Sequence, residues 1–289
     1  MNSLIFLDGG DPEETRQADG MLKSAGFPGI QGQTTNPSLI AKRLAESPST
    51  SLRVNLERKV SQVETLDFYH QTVVEMAKTT SGSISIQVIA DDSTSKEEML
   101  KQAQIYKNWI SNGVVKFPCT GAGLSAAEIF CQVWSVNITL NFSQEQAAAV
   151  YQATRNAKHK VFISPFVGRL DDRGENGMQV VKNILQMYTA GDGHVQVLTA
   201  SVRKLEHLLY ALYLKSPAIT VPLKIIQEWQ ATGFKIPEAD YTYPVGQLTQ
   251  IEYKKLDLTY DWHSYNLQHD LTDIGVQKFM EDWRGIIAA

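Results

Sequence analysis

Along the chain, short apolar runs alternate with amphipathic stretches of helical period. The first run, Ser3 to Asp8, is apolar almost throughout and ends on a carboxylate. Pro12, Glu13 and Glu14 then open a helix whose acidic first turn suits the positive end of its dipole. Gly29 to Asn36 predicts a weaker strand, with Asn36 as cap and Pro37 as first residue of the next helix. Residues 52–79 predict one long helix or two broken ones with a mostly polar surface. Ser83 to Ile89 alternates with the period of a strand. Thr94 with Glu97 forms a capping box ahead of the helical stripe Met99, Ala103, Tyr106 and Ile110.

Gly113 to Pro118 is a β-branched run bounded by Asn112-Gly113 on one side and by Pro118 and Gly121 on the other. A helix is expected over 126–134 and a strand over Val136 to Phe142, followed by an alanine-rich helix capped by Ser143 with Gln146. Val161 to Val167 is a strand whose ladder Pro165 should end early. Val195 to Ser201, a helix from about Leu205 to Leu214, and Ala218 to Pro222 complete the series. Eight strands, each followed by helical sequence, predict a single α/β domain, a (β/α)8 TIM barrel over residues 1–233. No repeat, low-complexity segment or linker divides it. Residues 234–289 form a tail rich in Tyr, Trp and charge that ends in a helix through Met280 and Trp283. The tail should pack on the barrel or on a neighbouring subunit, the second use implying a homo-oligomer.

Composition narrows the function. With 289 residues, 43% of them hydrophobic, the chain can bury a large core. A net charge of −4 gives no cationic footprint for a nucleic acid or an anionic membrane. No apolar run approaches the ~20 residues that span a bilayer, and the N-terminus has no basic region followed by an apolar core. The expected location is the cytoplasm. Cys119 and Cys131 fit a reducing compartment and two small core residues, with Cys119 near enough to Lys116 to line the same pocket. The histidines form no close metal-ligand pair, and Asp91-Asp92 and Asp171-Asp172 read as turn and cap residues, so no metal is expected. Gly121-Ala122-Gly123-Leu124-Ser125-Ala126 matches a dinucleotide-binding pattern on paper. The following strand lacks a carboxylate to hold a ribose, so the match reads as a glycine-rich βα loop and no nucleotide cofactor is expected.

The candidate chemistry centres on Lys116. A strand this apolar is buried on both faces, and an interior ammonium resists desolvation. It is therefore paired, or its pKa is depressed and it serves as an amine nucleophile. In a barrel, catalytic groups sit at the C-terminal strand ends. There the sequence supplies Asp8, Asn36, Gln87, Lys116, Asn137 with Thr139, Ser164 with Arg169, and Ser201 with Arg203. Singly, each would be read as capping a helix or solvating a loop. Together they offer a nucleophile, a carboxylate for proton transfer, uncharged hydrogen-bonders and two arginines suited to phosphate.

These stretches resemble the transaldolase family, which includes the fructose-6-phosphate aldolases. The resemblance rests on Thr34-Thr35-Asn36-Pro37-Ser38-Leu39-Ile40, Val115-Lys116-Phe117-Pro118, Asn137-Ile138-Thr139-Leu140, Ile163-Ser164-Pro165-Phe166-Val167-Gly168-Arg169 and Ala200-Ser201-Val202-Arg203. It implies that Lys116 is the Schiff-base lysine and Asp8 the acid/base carboxylate, with Gln87 and Thr139 assisting. It also implies that Arg169, Arg203 and Ser201 hold the phosphate. Asn36, Asn137 and Ser164 would bind the dihydroxyacetone hydroxyls, with Thr34 and Phe166 completing the substrate site. The implied reaction moves a dihydroxyacetone unit between sugar phosphates, as in the pentose phosphate pathway, without metal or cofactor, because the iminium is itself the electrophile.

Two positions disagree about the branch. Gln87 stands where transaldolases carry glutamate and resembles the aldolase branch, whereas Phe166 matches transaldolases. Gly9-Gly10 departs from the hydroxyl-then-small pair usual after the aspartate. The alternatives are cleavage that releases free dihydroxyacetone, and a sugar-phosphate sensor without turnover.

Overall fold

The structure, a computed structural model, describes residues 3–46 and 60–287. Its eight strands are β1 (Leu4–Asp8), β2 (Gly32–Thr34), β3 (Ser83–Gln87), β4 (Gly113–Pro118), β5 (Val136–Asn141), β6 (Val161–Pro165), β7 (Val195–Thr199) and β8 (Ala218–Val221). All neighbours are parallel, and β8 pairs back on β1 to close the barrel in sequence order. The expected (β/α)8 architecture is the one the chain adopts. Between the strands lie α1 (Pro12–Ser24), α2 (Pro37–Glu46), α3 (Gln62–Ala77), α4 (Lys96–Tyr106), α5 (Gly121–Phe130) and α6 (Gln144–Ala153). They are followed by α7 (Val167–Asp172), α8 (Gly177–Tyr188), α9 (Leu205–Tyr213) and α10 (Leu223–Ala231), and α11 (Asp270–Ile286) is the last helix among the described residues.

The lumen is built by the two-residue period of the strands. Phe6, Val114, Phe162, Leu198 and Ala218 form an apolar floor, separate from the larger core between barrel and helices. Gly32 completes that layer, since a Cβ there would meet the Phe6 ring at 2.5 Å. Side chains two positions on share the same face of each strand. They are Asp8, Thr34, Lys116, Ser164, Ala200 and Thr220, and all six line one cavity above the floor.

Local chemistry sets the ends of the elements. Asn36 caps α2 as expected, its Oδ1 accepting from Leu39 N at 3.0 Å. Pro165 does end β6, and Phe166 then makes an isolated bridge to Ala200. The box expected from Thr94 and Glu97 is formed one residue later, by Ser95 and Glu98. Thr94 is already engaged with Asp91, donating to its Oδ1 and accepting from its backbone amide, each at 2.9 Å. The helix expected over 126–134 begins earlier, at Gly121 behind the Thr120 cap. Gly123 is required there, because a Cβ would lie 2.1 Å from the Pro118 carbonyl oxygen. Of the helical stretch expected over 52–79, α3 accounts for Gln62–Ala77, and 52–59 lies outside the described residues.

Amide side chains pin the tail to the barrel. Gln144 donates to the Lys254 carbonyl at 3.0 Å and accepts from Lys254 N at 2.7 Å, while Asn183 donates to the Ile251 carbonyl at 3.0 Å. The tail ends in α11, which lies along α2 and reaches β5. Ser38 there donates to Asp282 at 2.5 Å, and Thr272 donates to the Leu140 carbonyl at 2.9 Å. Leu140 carries a left-handed φ of 62° beside a register shift in the β5–β6 ladder.

Candidate active site

The cavity at the C-terminal mouth holds about 150 Å³ and is lined by Asp8, Thr34, Asn36, Lys116, Ser164, Phe166, Arg169, Ala200, Ser201, Arg203, Thr220 and Phe279. A larger groove of about 980 Å³ lies outside the barrel between α3, α4 and α11. None of the predicted site residues lines it. The chemistry-bearing side chains converge in the smaller space.

Lys116 is 2% exposed, and its Nζ donates to the Thr35 carbonyl at 3.1 Å. Burial depresses its pKa from 10.5 to about 8; nearby Asp8 works against that shift and Arg169 reinforces it. Asp8 is the counterpart. Burial raises its pKa above the usual carboxylate range, opposed by the charge of Lys116 and by a hydrogen bond from Thr34. Thr34 Oγ1 is 2.8 Å from Asp8 Oδ1 and 2.7 Å from Thr220 Oγ1. With Asp8 ionised, the single Thr34 hydroxyl proton goes to the carboxylate, so Thr220 donates to Thr34. A poised amine and a poised carboxylate thus share one water-poor space.

The backbone around Lys116 is held by a chain of fixed donors. Thr35 Oγ1 donates to the Ser85 carbonyl at 2.8 Å, so Tyr69, at 2.6 Å, donates to Thr35. Tyr69 in turn accepts from Gln87 N at 2.9 Å. Burial raises the phenol's pKa, keeping it protonated for this role.

The two arginines line the same cavity. Arg169 is clasped between rings, its guanidinium carbon 5.5 Å from the Phe166 centroid and 5.3 Å from that of Phe279. Burial lowers its pKa, as does Arg203, a like charge nearby. Arg203 is half-exposed and paired with Asp172. Ser201 holds a left-handed φ of 58° at the end of β7, where its carbonyl accepts from Gly168 N at 3.0 Å. Two cations side by side, with one carboxylate at the rim, suit a multivalent oxyanion.

Gln87, Asn137 and Thr139 are buried but do not line the cavity. Gln87 and Asn137 are the cross-strand neighbours of Lys116 in β3 and β5. Ser164 donates to Asn137 Oδ1 at 2.8 Å, and Asn137 donates to Ser85 Oγ at 3.0 Å. Gln87 Oε1 and Thr139 Oγ1 lack partners among the described residues, and buried polar atoms left so are natural holders of an ordered water. Cys119 is buried and does not line the cavity, contrary to the expectation that it would share the pocket of Lys116, and desolvation pushes its thiol pKa up. Sequence reasoning missed Thr220 and Phe279. Thr220 had a signal, a hydroxyl inside the apolar run of β8, whereas Phe279 was one apolar position on a helical stripe.

The family profile described as Transaldolase/Fructose-6-phosphate aldolase matches residues 5–289. A probable transaldolase of Alkaliphilus metalliredigens is 30% identical over 284 residues, covering 98% of this chain and 99% of its own. A probable transaldolase of a Thermoanaerobacter species is 30% identical over 281 residues, covering 97% and 96%. Among solved structures, UMP synthase of Leishmania donovani aligns at a TM-score of 0.46 and 10% identity, over 81% of this chain and 53% of its own.

Proposed function

Because the chain belongs to the transaldolase/fructose-6-phosphate aldolase family, we propose that it transfers a dihydroxyacetone unit from a ketose phosphate to an aldose phosphate through a Schiff base on Lys116. The observation that carries this reading is the amine of Lys116, 2% exposed and depressed to about 8, in one cavity with Asp8 and two arginines.

The neutral amine adds to the donor's C2 carbonyl, and loss of water leaves an iminium that serves as an electron sink. Asp8 accepts the proton of the C4 hydroxyl, and the C3–C4 electron pair flows into the iminium. The aldose phosphate leaves with C4 as its aldehyde, and the three-carbon enamine stays on Lys116. Attack of that enamine on an acceptor aldehyde, with the proton returned from Asp8, forms the new carbon–carbon bond. Arg169, Arg203 and Ser201 hold the phosphate at the rim, while Asn36 and Ser164 face the donor hydroxyls, Ser164 being oriented from behind by its hydrogen bond to Asn137. Phe166 neighbours both cations, its ring centroid 5.9 Å from Lys116 Nζ and 5.5 Å from the Arg169 guanidinium carbon.

Gln87 supports a second reading, cleavage to free dihydroxyacetone. An amide does not exchange a proton as a carboxylate does, so it changes how an adjacent water meets the enamine. Borohydride reduction with fructose 6-phosphate, followed by mass spectrometry, separates the readings. A three-carbon adduct on Lys116 that disappears when erythrose 4-phosphate is added supports transfer. The same adduct accompanied by free dihydroxyacetone without acceptor supports cleavage, and no adduct with any ketose phosphate refutes both.

A further inference from the structure

Asp171, read from sequence as a cap residue, does more than cap. Its Oδ2 accepts from Lys204 Nζ at 2.7 Å, His207 Nε2 at 2.9 Å and Tyr243 Oη at 3.3 Å, and its Oδ1 accepts from Gly177 N at 3.1 Å. One carboxylate thus joins α7, which carries Arg169, to the start of α8, to the segment carrying Ser201 and Arg203, to α9 and to the tail. Burial opposes its ionisation, but the bonds from His207 and Lys204 outweigh that and hold the carboxyl at about 2.

His207, 1% exposed, passes this order on to the rim. Its Nδ1 lies 3.3 Å from Arg203 N. An amide N–H only donates, so Nδ1 accepts and the ring proton sits on Nε2, aimed at Asp171. The same loop is pressed against α7 from the other side. A Cβ on Gly168 would lie 2.4 Å from the Ser201 carbonyl oxygen and 2.7 Å from the Arg203 side chain. The loop therefore has little freedom of its own, and its register against Arg169 depends on what holds Arg203 N.

We propose that His207, oriented by Asp171, is a positioning residue that sets Arg203 at its spacing from Arg169, so that the pair grips a phosphate group. The inference rests on the phosphate role assigned above to the two arginines. His207 touches no reacting atom; it acts through the backbone of Arg203.

The test uses two amides that each replace half of the imidazole. Asparagine presents its carbonyl near the position of Nδ1, whereas glutamine reaches the position of Nε2. Calorimetric titration of the full chain with inorganic phosphate should show His207→Asn close to wild type and His207→Gln weaker by about tenfold. Borohydride trapping of Lys116 with unphosphorylated dihydroxyacetone should be unchanged in both. Equal loss in the two variants, no loss in either, or a parallel fall in trapping would overturn the proposal. If wild type traps the ketose but binds no phosphate, the clamp itself is refuted. If it traps nothing, the Schiff-base reading fails. Should His207→Gln not fold, Asp171→Asn serves in its place. It puts an amide among these donors and is expected to weaken phosphate while sparing trapping; unweakened phosphate refutes the proposal.

Discussion

Replacing Asp8 by asparagine should move two observables of the same lysine in opposite directions. At pH 7 an amine with the ordinary pKa of 10.5 is neutral in about one molecule in 3,000, whereas one depressed to about 8 is neutral in about one in ten. The depression arises first from burial, and the negative charge of Asp8 opposes it. Asp8→Asn removes the opposing charge, so the midpoint of Lys116 falls below 8. The neutral fraction at pH 7 then climbs toward one, a gain capped at about tenfold because wild type already holds about a tenth. Arg169→Met removes a charge that pushes the other way, and the midpoint should rise. The assay is pulsed acetylation from pH 6 to 11, read as acetyl incorporation on the peptide containing Lys116. Turnover of Asp8→Asn should meanwhile fall about 10²–10⁴-fold, the usual worth of a positioned acid/base. An upward shift in Asp8→Asn, or a wild-type midpoint near 10.5, would refute the electrostatic argument.

Other consequences follow from the same geometry. A Cβ at Gly275 of α11 would stand 2.5 Å from Arg169 Nη1 and 2.6 Å from a Leu140 methyl, so Gly275→Ala should raise KM for phosphorylated donors severalfold while moving the Lys116 acetylation midpoint less than Arg169→Met does, because the displaced charge is retained. Asp172 holds Arg203 at the rim and competes with any incoming anion, so Asp172→Asn should tighten inorganic phosphate binding in calorimetry, and weaker binding would count against the clamp. Between pH 8 and 10.5 the folded lysine has released a proton that the unfolded one still binds, so wild-type stability should rise with pH across that window. From 10.5 down to 8 is 2.5 pH units, or about 3 kcal/mol gained by the top of the window and absent below pH 8. Lys116→Met lacks this slope, which urea unfolding at pH 8 and pH 10 would read.

Much of the barrel was legible because both of its periods are written plainly. Strand runs such as Leu4–Asp8 and Gly113–Pro118 alternate with capped amphipathic helices, and that rhythm admits few closures besides β1 to β8 in order. The site was legible for a related reason. Polar residues at the ends of apolar strands, Asp8, Lys116 and Ser164 among them, oppose the burial pattern, and only a shared lumen reconciles them. Boundaries were harder. Whether Thr94 or Ser95 caps α4 depends on which hydroxyl Asp91 engages first, a contact within a turn that spacing does not encode.

What sequence could not disclose is how distant segments close over the mouth. Leu271, Val276, Phe279 and Trp283 form an ordinary buried stripe on α11. Pattern cannot tell which of them meets apolar side chains and which meets a cation. The structure places Phe279 on Arg169, and Gly275 one turn earlier leaves the space that the guanidinium occupies. Asp171 is the same lesson in polar form. Beside Asp172 in sequence it looks like half of an acidic turn, but Lys204, His207 and Tyr243 arrive at it from α9 and the tail. Side chains that line the lumen are constrained by their strand position, so a linear reading finds them. Residues that tie the segments around the rim together are constrained by contacts 33 to 72 positions away, and they emerge only when the tail is folded back across α7 and α9.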